Sequence, residues 1–274
     1  MESRAGWLGG PGLAMACLLV AMALVGATGA GTIPKTIRGR DGASMILSLA
    51  GEFTMGSNCC EENEKPPHRV SISAFCIDKY EVTFDQYDRF CEATGRAKPE
   101  DAGWGRGSRP VINVTWDDAN AYALDYGKRL PTEAEWEYAC RAGGRGKWCF
   151  GNGEGRLDEY AWYGTNANSV GHPVGTRPVG QKKPNAWGLY DMHGNVWEWC
   201  ADWYDMNNYA DSPDQNPTGA VSGQYRVLRG GSWVNVARVC RSAYRECGPP
   251  MYRLKADGFN HAVGFRCAMS VKAQ

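Results

Sequence analysis

Charge of one sign is not in excess in this chain. Lys+Arg and Asp+Glu both number 30, for a formal net charge of zero. No basic stripe runs along the sequence, which argues against nucleic acid as the main partner. Histidine is scarce, with His68, His172, His193 and His261 the four. No two stand in a His-x-x-x-His pattern, so a three-histidine metal centre finds no support. His68, beside Pro66 and Pro67, reads as a loop histidine and not a ligand. CxxC pairs and zinc-type Cys/His spacings are missing too. There is no strong internal repeat, and no composition shift marks a second domain. The apolar run at residues 13–25 is too short to span a bilayer comfortably.

What the sequence has in plenty is glycine (35), tryptophan (11) and tyrosine (13). Many glycines mean many turns and little regular structure, and many aromatics mean a core or a surface of large flat side chains. The run at 13–25 follows Arg4 and precedes Ala27-Thr28-Gly29-Ala30, the form of a secretory signal with small residues at its cleavage site. Residues 1–30 are read as a signal peptide and the protein as exported: periplasmic, cell-surface or secreted. Cys17 raises lipidation as a second option, but most of the apolar run follows it. Membrane anchoring would come only through such a lipidated N-terminus. Without residues 1–30 ten cysteines remain, an even number that permits disulfides without fixing their pairing. Adjacent Cys59 and Cys60 would each need a distant partner.

Residues 31–43 read as a polar linker and 44–271 as one domain. Apolar runs at 45–49 and 53–56 suggest a strand pair around Gly51, and alternation over 68–77 suggests one half-buried strand. Thr83 with Gln86 forms a capping box for a helix carrying Phe84, Tyr87, Phe90 and Cys91, stopped near Gly95. Thr115 caps a second helix with Trp116, Ala119, Tyr122 and Ala123, stopped at Gly127. Thr132 and Glu135 cap a third with Trp136 and Ala139 inward, stopped at Gly143-Gly144. Beyond that point helices nearly vanish.

The densest stretch is Gly188-Leu189-Tyr190-Asp191-Met192-His193-Gly194-Asn195-Val196-Trp197-Glu198-Trp199. Trp-x-Trp alternation puts both indoles on one strand face and Glu198 on the other. Asp191 and Glu198 flank the Gly194-Asn195 turn. That pattern suits an oxygen-lined site for a hard cation, with backbone carbonyls filling the gaps. The plain alternative is a strand whose Glu is solvated and whose Asp caps a turn.

Several phrases together resemble one family. They are Gly51-Glu52-Phe53-Thr54-Met55-Gly56-Ser57, Tyr80-Glu81-Val82-Thr83, Val114-Thr115-Trp116 and Arg129-Leu130-Pro131-Thr132-Glu133-Ala134-Glu135-Trp136. The stretch above, Arg229-Gly230-Gly231-Ser232-Trp233 and Gly264-Phe265-Arg266-Cys267 complete the series. In this order they resemble the formylglycine-generating enzyme (sulfatase-modifying factor) family. The resemblance implies an α+β, C-type-lectin-like fold: little regular structure, small twisted sheets and a few helices. It also implies structural calcium held by Asp191, the Gly194 and Val196 carbonyls, and Glu198. A second calcium site is implied near residues 162–168, where only Asn166 suggests itself.

The family reaction needs two thiolates around one copper ion, and soft thiolates suit copper(I). Ser232 matches the family serine, and Cys240 the second cysteine. The first cysteine position is Asn235, which has no thiol. Copper binding is therefore not expected, and Cys240 and Ser232 remain only weak catalytic candidates. The C-terminal segment also resembles the hypervariable segment of proteins diversified by retroelements, which end in a Gly-Phe-Arg frame. Between frame residues lie Val234, Asn235, Val236, Arg238, Val239, Tyr244, Glu246, Met251, Tyr252, Leu254, Phe259 and His261. Aromatic and small polar side chains of this kind supply contact area at low entropic cost. The expected function is a non-catalytic exported protein whose face at 234–263 binds a protein or other extracellular ligand. The alternative is an oxidase that converts a substrate cysteine to formylglycine.

Overall fold

Among the described residues, three capped helices and ten short strands account for most of the regular structure. The structure is a computed structural model and describes residues 35–167, 174–251 and 262–271. In chain order the strands and helices are β1 (Thr36–Arg38), β2 (Ser44–Ser48), β3 (Gly51–Met55), β4 (His68–Ile72), β5 (Phe75–Asp78), α1 (Phe84–Thr94), α2 (Trp116–Asp125) and α3 (Glu133–Arg141). There follow α4 (Leu157–Tyr160), α5 (Gly164–Ala167), β6 (Trp197–Trp203), β7 (Arg226–Arg229), β8 (Glu246–Gly248), β9 (Val263–Gly264) and β10 (Ala268–Ser270). They make two four-stranded sheets, β1-β2-β5-β10 and β8-β7-β6-β9, and the hairpin β3-β4. This is the expected α+β class of small sheets and few helices.

Each of the three main helices begins where the sequence places it. Thr83, Thr115 and Thr132 accept from the N3 backbone N–H, and Gln86, Asp118 and Glu135 bond back to the caps. Gly95 ends α1 in the left-handed conformation at φ 71°. α3 stops at Ala142, also left-handed, one residue before the expected glycines. Tyr87, Phe90, Tyr122 and Phe265 form one aromatic core, and Trp136 with Phe75, Tyr209 and Val227 belongs to another.

Several expectations are corrected. β2 and β3 do not pair with each other; β2 lies between β1 and β5, and β3 pairs with β4. The alternation over 68–77 is two strands in two different sheets. Asn216 makes the break: its Oδ1 accepts the Ser73 N–H at 2.7 Å, and its Nδ2 donates to Ser73 Oγ at 3.0 Å. The expected linker 31–43 contains β1, and Asp41 there is buried. Asp41 accepts from Lys128 Nζ at 2.6 Å and from Tyr122 Oη at 2.9 Å. One apolar residue, Ile37, is too little for periodicity to register that strand. The expected signal segment, 1–30, lies outside the described residues.

Candidate functional site

Glu198 is not solvated: both faces of β6 are covered, and Trp197, Glu198 and Trp199 are all buried. Arg266 grips the carboxylate through Nε–Oε2 and Nη2–Oε1, both at 2.7 Å. Trp136 Nε1–H donates to Oε2 at 2.8 Å. The preceding turn is left-handed at Asp191 (φ 57°), Gly194 (82°) and Asn195 (61°). Position 194 must be glycine, because a Cβ there would lie 2.1 Å from the Trp162 carbonyl oxygen. Asn195 Nδ2 donates to Glu81 Oε2 at 2.6 Å, and Val196 N–H donates to Glu81 Oε1 at 3.2 Å. Glu81 belongs to the Tyr-Glu-Val-Thr phrase, yet nothing in the local pattern marks it as part of this site.

Asp191 Oδ2 accepts the Gly180 N–H at 2.7 Å, while its buried Oδ1 has no hydrogen-bond partner. Burial pushes this carboxyl up to about 6. Burial, then the neighbouring Asp191 and Glu198, raises Glu81 well above the carboxylate range. Three buried carboxyls thus share one guanidinium, that of Arg266. A divalent cation fits this arrangement: it would use the orphaned Asp191 oxygen and offset the excess negative charge. Among the described residues no three His, Cys, Asp or Glu side chains are grouped to hold a metal by themselves. The carbonyls of Gly194 and Val196 would have to complete such a site. At the expected second site Asn166 instead builds a turn, accepting the Tyr163 N–H at 3.0 Å and donating to the Ala161 carbonyl at 2.8 Å.

Beside this cluster, the segment from Arg229 to Met251 is held from below by three buried arginines. Arg229 Nη2 donates to Glu137 Oε2 at 2.5 Å and to the Ser242 carbonyl at 2.7 Å. Arg241 clasps Glu64 at 2.6 and 2.9 Å, and Arg245 clasps Glu133 at 2.7 and 2.9 Å. Burial opposes ionisation of Glu137, but Arg141 and Arg229 outweigh it and hold that carboxyl below its ordinary range. Glu64, Glu133 and Glu137 escape sequence reading, since each pairs more than 90 residues away.

Burial along the segment separates two sets of residues. Arg229, Ser232, Trp233, Ala237, Cys240, Arg241, Ser242, Ala243 and Arg245 are all buried. Val234, Asn235, Val239, Tyr244 and Glu246 are half-buried, and Val236, Arg238 and Met251 are exposed. Tyr252, Leu254, Phe259 and His261 lie outside the described residues. Val234, Val239 and Tyr244 lean on the aromatic core; Val236 and Met251 stand free at 62% and 79% exposure.

The copper-type position is closed. Asn235 Oδ1 accepts from the Ser232 N–H at 2.9 Å and from the Ser232 hydroxyl at 2.6 Å, so serine and asparagine satisfy each other. Cys240 is fully buried, and burial pushes its thiol up to about 12. Its carbonyl lies 2.8 Å from His193 Nδ1, whose Nε2 accepts the Cys149 N–H at 3.2 Å; the Nδ1–H tautomer serves both bonds. These residues do not fit a two-thiolate copper centre. All ten described cysteines are free in this structure, which therefore pairs none of them. Cys59 and Cys60 face each other, with their sulfur atoms 2.7 Å apart.

Residues 30–271 match the Sulfatase-modifying factor enzyme 1-like domain. The chain belongs to that family. It is 35% identical to a formylglycine-generating enzyme of Streptomyces coelicolor, over 86% of this chain and 90% of that one. Among solved structures it is similar to Treponema denticola variable protein 1, with a TM-score of 0.70 and 31% identity over 87% of this chain and 99% of that one. It is also similar to PvdO from Pseudomonas aeruginosa, with a TM-score of 0.75 and 28% identity over 88% and 100%. The expected C-type-lectin-like formylglycine-generating-enzyme fold therefore holds for this family member.

Proposed function

We propose that this protein is a non-catalytic, exported ligand-binding protein on a sulfatase-modifying-factor scaffold, with its binding face at residues 234–263. The observation that carries the reading is the division along 229–251: buried arginine-clamped frame residues alternate with half-buried and exposed ones. A surface built this way accepts changed side chains without loss of the frame. The likeness to a variable protein of Treponema denticola supports the idea that these outer positions vary. The ligand is a protein or another extracellular molecule, and the role of calcium is structural, at Asp191, Glu198 and the carbonyls of Gly194 and Val196. The absence of a thiol at Asn235 and the burial of Cys240 argue against copper chemistry.

The second reading is an oxidase that makes formylglycine, supported by the 35% identity to the Streptomyces enzyme. One assay separates them. The purified chain is given copper(I), oxygen and a cysteine-containing sulfatase-type peptide, and aldehyde is scored with a hydrazide. No aldehyde above the metal-only control is expected, and catalytic aldehyde formation would replace the binding reading with the oxidase. An anaerobic copper(I) titration of the Asn235→Cys variant adds a second measurement. If restored one-to-one binding brings turnover, the groove has kept its substrate site and the binding reading fails.

A further inference from the structure

Two thiols outside the family's copper position are arranged to react. Cys59 and Cys60 are adjacent in the loop between β3 and β4, with their sulfur atoms 2.7 Å apart. Cys59 is exposed and Cys60 half-buried, whereas Cys76, Cys91, Cys140, Cys200, Cys240 and Cys267 are all buried. The loop is fixed by Arg241, which binds the buried Glu64 on it. Arg241 also places Nη1 3.9 Å from the Cys59 sulfur, and the Cys59 N–H donates to Ser57 Oγ at 3.1 Å. Cys59 opens on a cavity of about 1020 Å³ whose walls include Arg69, Arg141, Arg145, Lys147 and Arg241. Glu52, Glu137 and Glu64 pair with Arg69, Arg141 and Arg241. Arg145 and Lys147 add two further cations to the wall, so the cavity carries excess positive charge.

We propose that Cys59 and Cys60 form a dithiol–disulfide exchange site that takes a small anionic disulfide from the cation-lined cavity. The proposal does not depend on the binding reading of residues 234–263. The two thiols divide the work. Burial opposes ionisation of both, but the hydrogen bonds of Cys60 and Ser57 and the charge of Arg241 outweigh it for Cys59 and hold that thiol below its ordinary range. For Cys60, burial and the shared hydrogen bond both favour the protonated thiol. The Cys59 thiolate attacks one sulfur of the external disulfide. That S–S bond breaks, the departing half leaves as a thiolate and takes a proton from water, and a mixed disulfide remains on Cys59. Cys60 then gives its proton to solvent and attacks the Cys59 sulfur, which releases the second half as a thiol. The protein dithiol loses two electrons and the external disulfide gains them.

The test uses the reduced chain and oxidised glutathione, a disulfide with several carboxylates, against the neutral hydroxyethyl disulfide. Wild type should give a peptide with a Cys59–Cys60 link, found by mass spectrometry before and after reduction. The Cys60→Ser variant should stop at glutathione on Cys59, and Cys59→Ser should not react at this loop. The anionic disulfide should react on the order of tenfold faster at low salt, with the advantage lost at high salt or in an Arg145→Ala/Lys147→Ala variant. Melting curves of each variant check that the fold is kept. Three results overturn the proposal: no mixed disulfide in Cys60→Ser, equal labelling of half-buried Cys149 or Cys247, or no preference for the anionic disulfide.

Discussion

The inner and outer layers of residues 229–251 are built by different physics. Inside, Arg229, Arg241 and Arg245 are desolvated and each meets a buried glutamate at hydrogen-bond distance. Outside, Arg238 pairs with Glu61 in solvent, and Val236 and Met251 touch little. The same residue type, arginine, is therefore a fixed strut in one layer and a replaceable surface group in the other. A buried pair is worth little beyond a hydrophobic substitute, but losing one partner strands a charge; a surface pair does neither. The comparison teaches that shape comes from the inner layer and variety is tolerated in the outer one.

The strongest way to break the comparison is to strand a buried guanidinium. Glu137→Ala takes the nearest carboxylate from Arg229, leaving only Glu133 at 3.5 Å beside the carbonyls of Ser242, Ala243 and Tyr244, and it strips Arg141 of the same partner. The expected loss is roughly 3–5 kcal/mol in denaturant unfolding. Glu61→Ala, which frees only Arg238, should cost about 0–1 kcal/mol. Equal losses from the two would show that the layers do not differ energetically.

A second inner-layer group ties stability to pH. Asp202 Oδ2 accepts the Glu133 N–H at 2.8 Å, at the start of α3, beneath the glutamate that clasps Arg245. Burial, with the Glu133 carboxylate adding to it, pushes Asp202 up to about 8 from an ordinary 3.8. Between those values the fold holds a proton that the unfolded chain has lost, so raising the pH favours unfolding. The contribution is whole below about 4 and is lost as pH rises through about 8. Asp202→Asn keeps an oxygen for the Glu133 N–H and removes the titration. The difference in stability between wild type and variant should change steadily from pH 4 to 8, and a flat difference would refute the burial argument.

How much of this was legible in the sequence follows from the range of the interactions. Thr83, Thr115 and Thr132 announce their helices because a capping box spans only three residues. The division between Ser232 or Trp233 and Val236 or Met251 also came from local phrases. The partners of Arg229, Arg241 and Arg245 did not, because Glu137, Glu64 and Glu133 lie far away in the chain. The plain alternative of a solvated Glu198 fails, because β6 is covered on both sides by Trp136, Arg266 and the aromatic core, and those partners are remote in the chain. The run over 68–77 deceived for a similar reason: its break depends on Asn216, which is remote.

The carboxylate cluster sharpens the same contrast at intermediate size. If calcium braces the turn at Asp191 and Gly194, chelation should lower the melting temperature. With free calcium one hundredfold above its Kd, the stabilisation removed is about 2.7 kcal/mol. Asp191→Asn is the better variant than Glu198→Gln, because Glu198 also neutralises Arg266 and would destabilise with or without metal. Asp191→Asn should melt alike with and without chelator. Coincident wild-type curves under both conditions would remove the calcium role.

The smallest expected effect is the most informative about function. Val236→Thr, Arg238→Gln and Met251→Ser change exposed side chains that support nothing beneath them, and surface substitutions of this kind usually fall within about 0.5 kcal/mol. Their costs should add, since none shares a partner with another. A triple variant with near wild-type unfolding shows a face free to diverge, as a binding surface requires. A triple variant that loses several times the sum shows that these residues hold the segment together, and the outer layer then belongs to the frame. Binding follows the opposite ranking: a ligand held at this face should lose affinity in the triple variant and keep it in Glu137→Ala wherever that variant is still folded, so stability and recognition separate by layer.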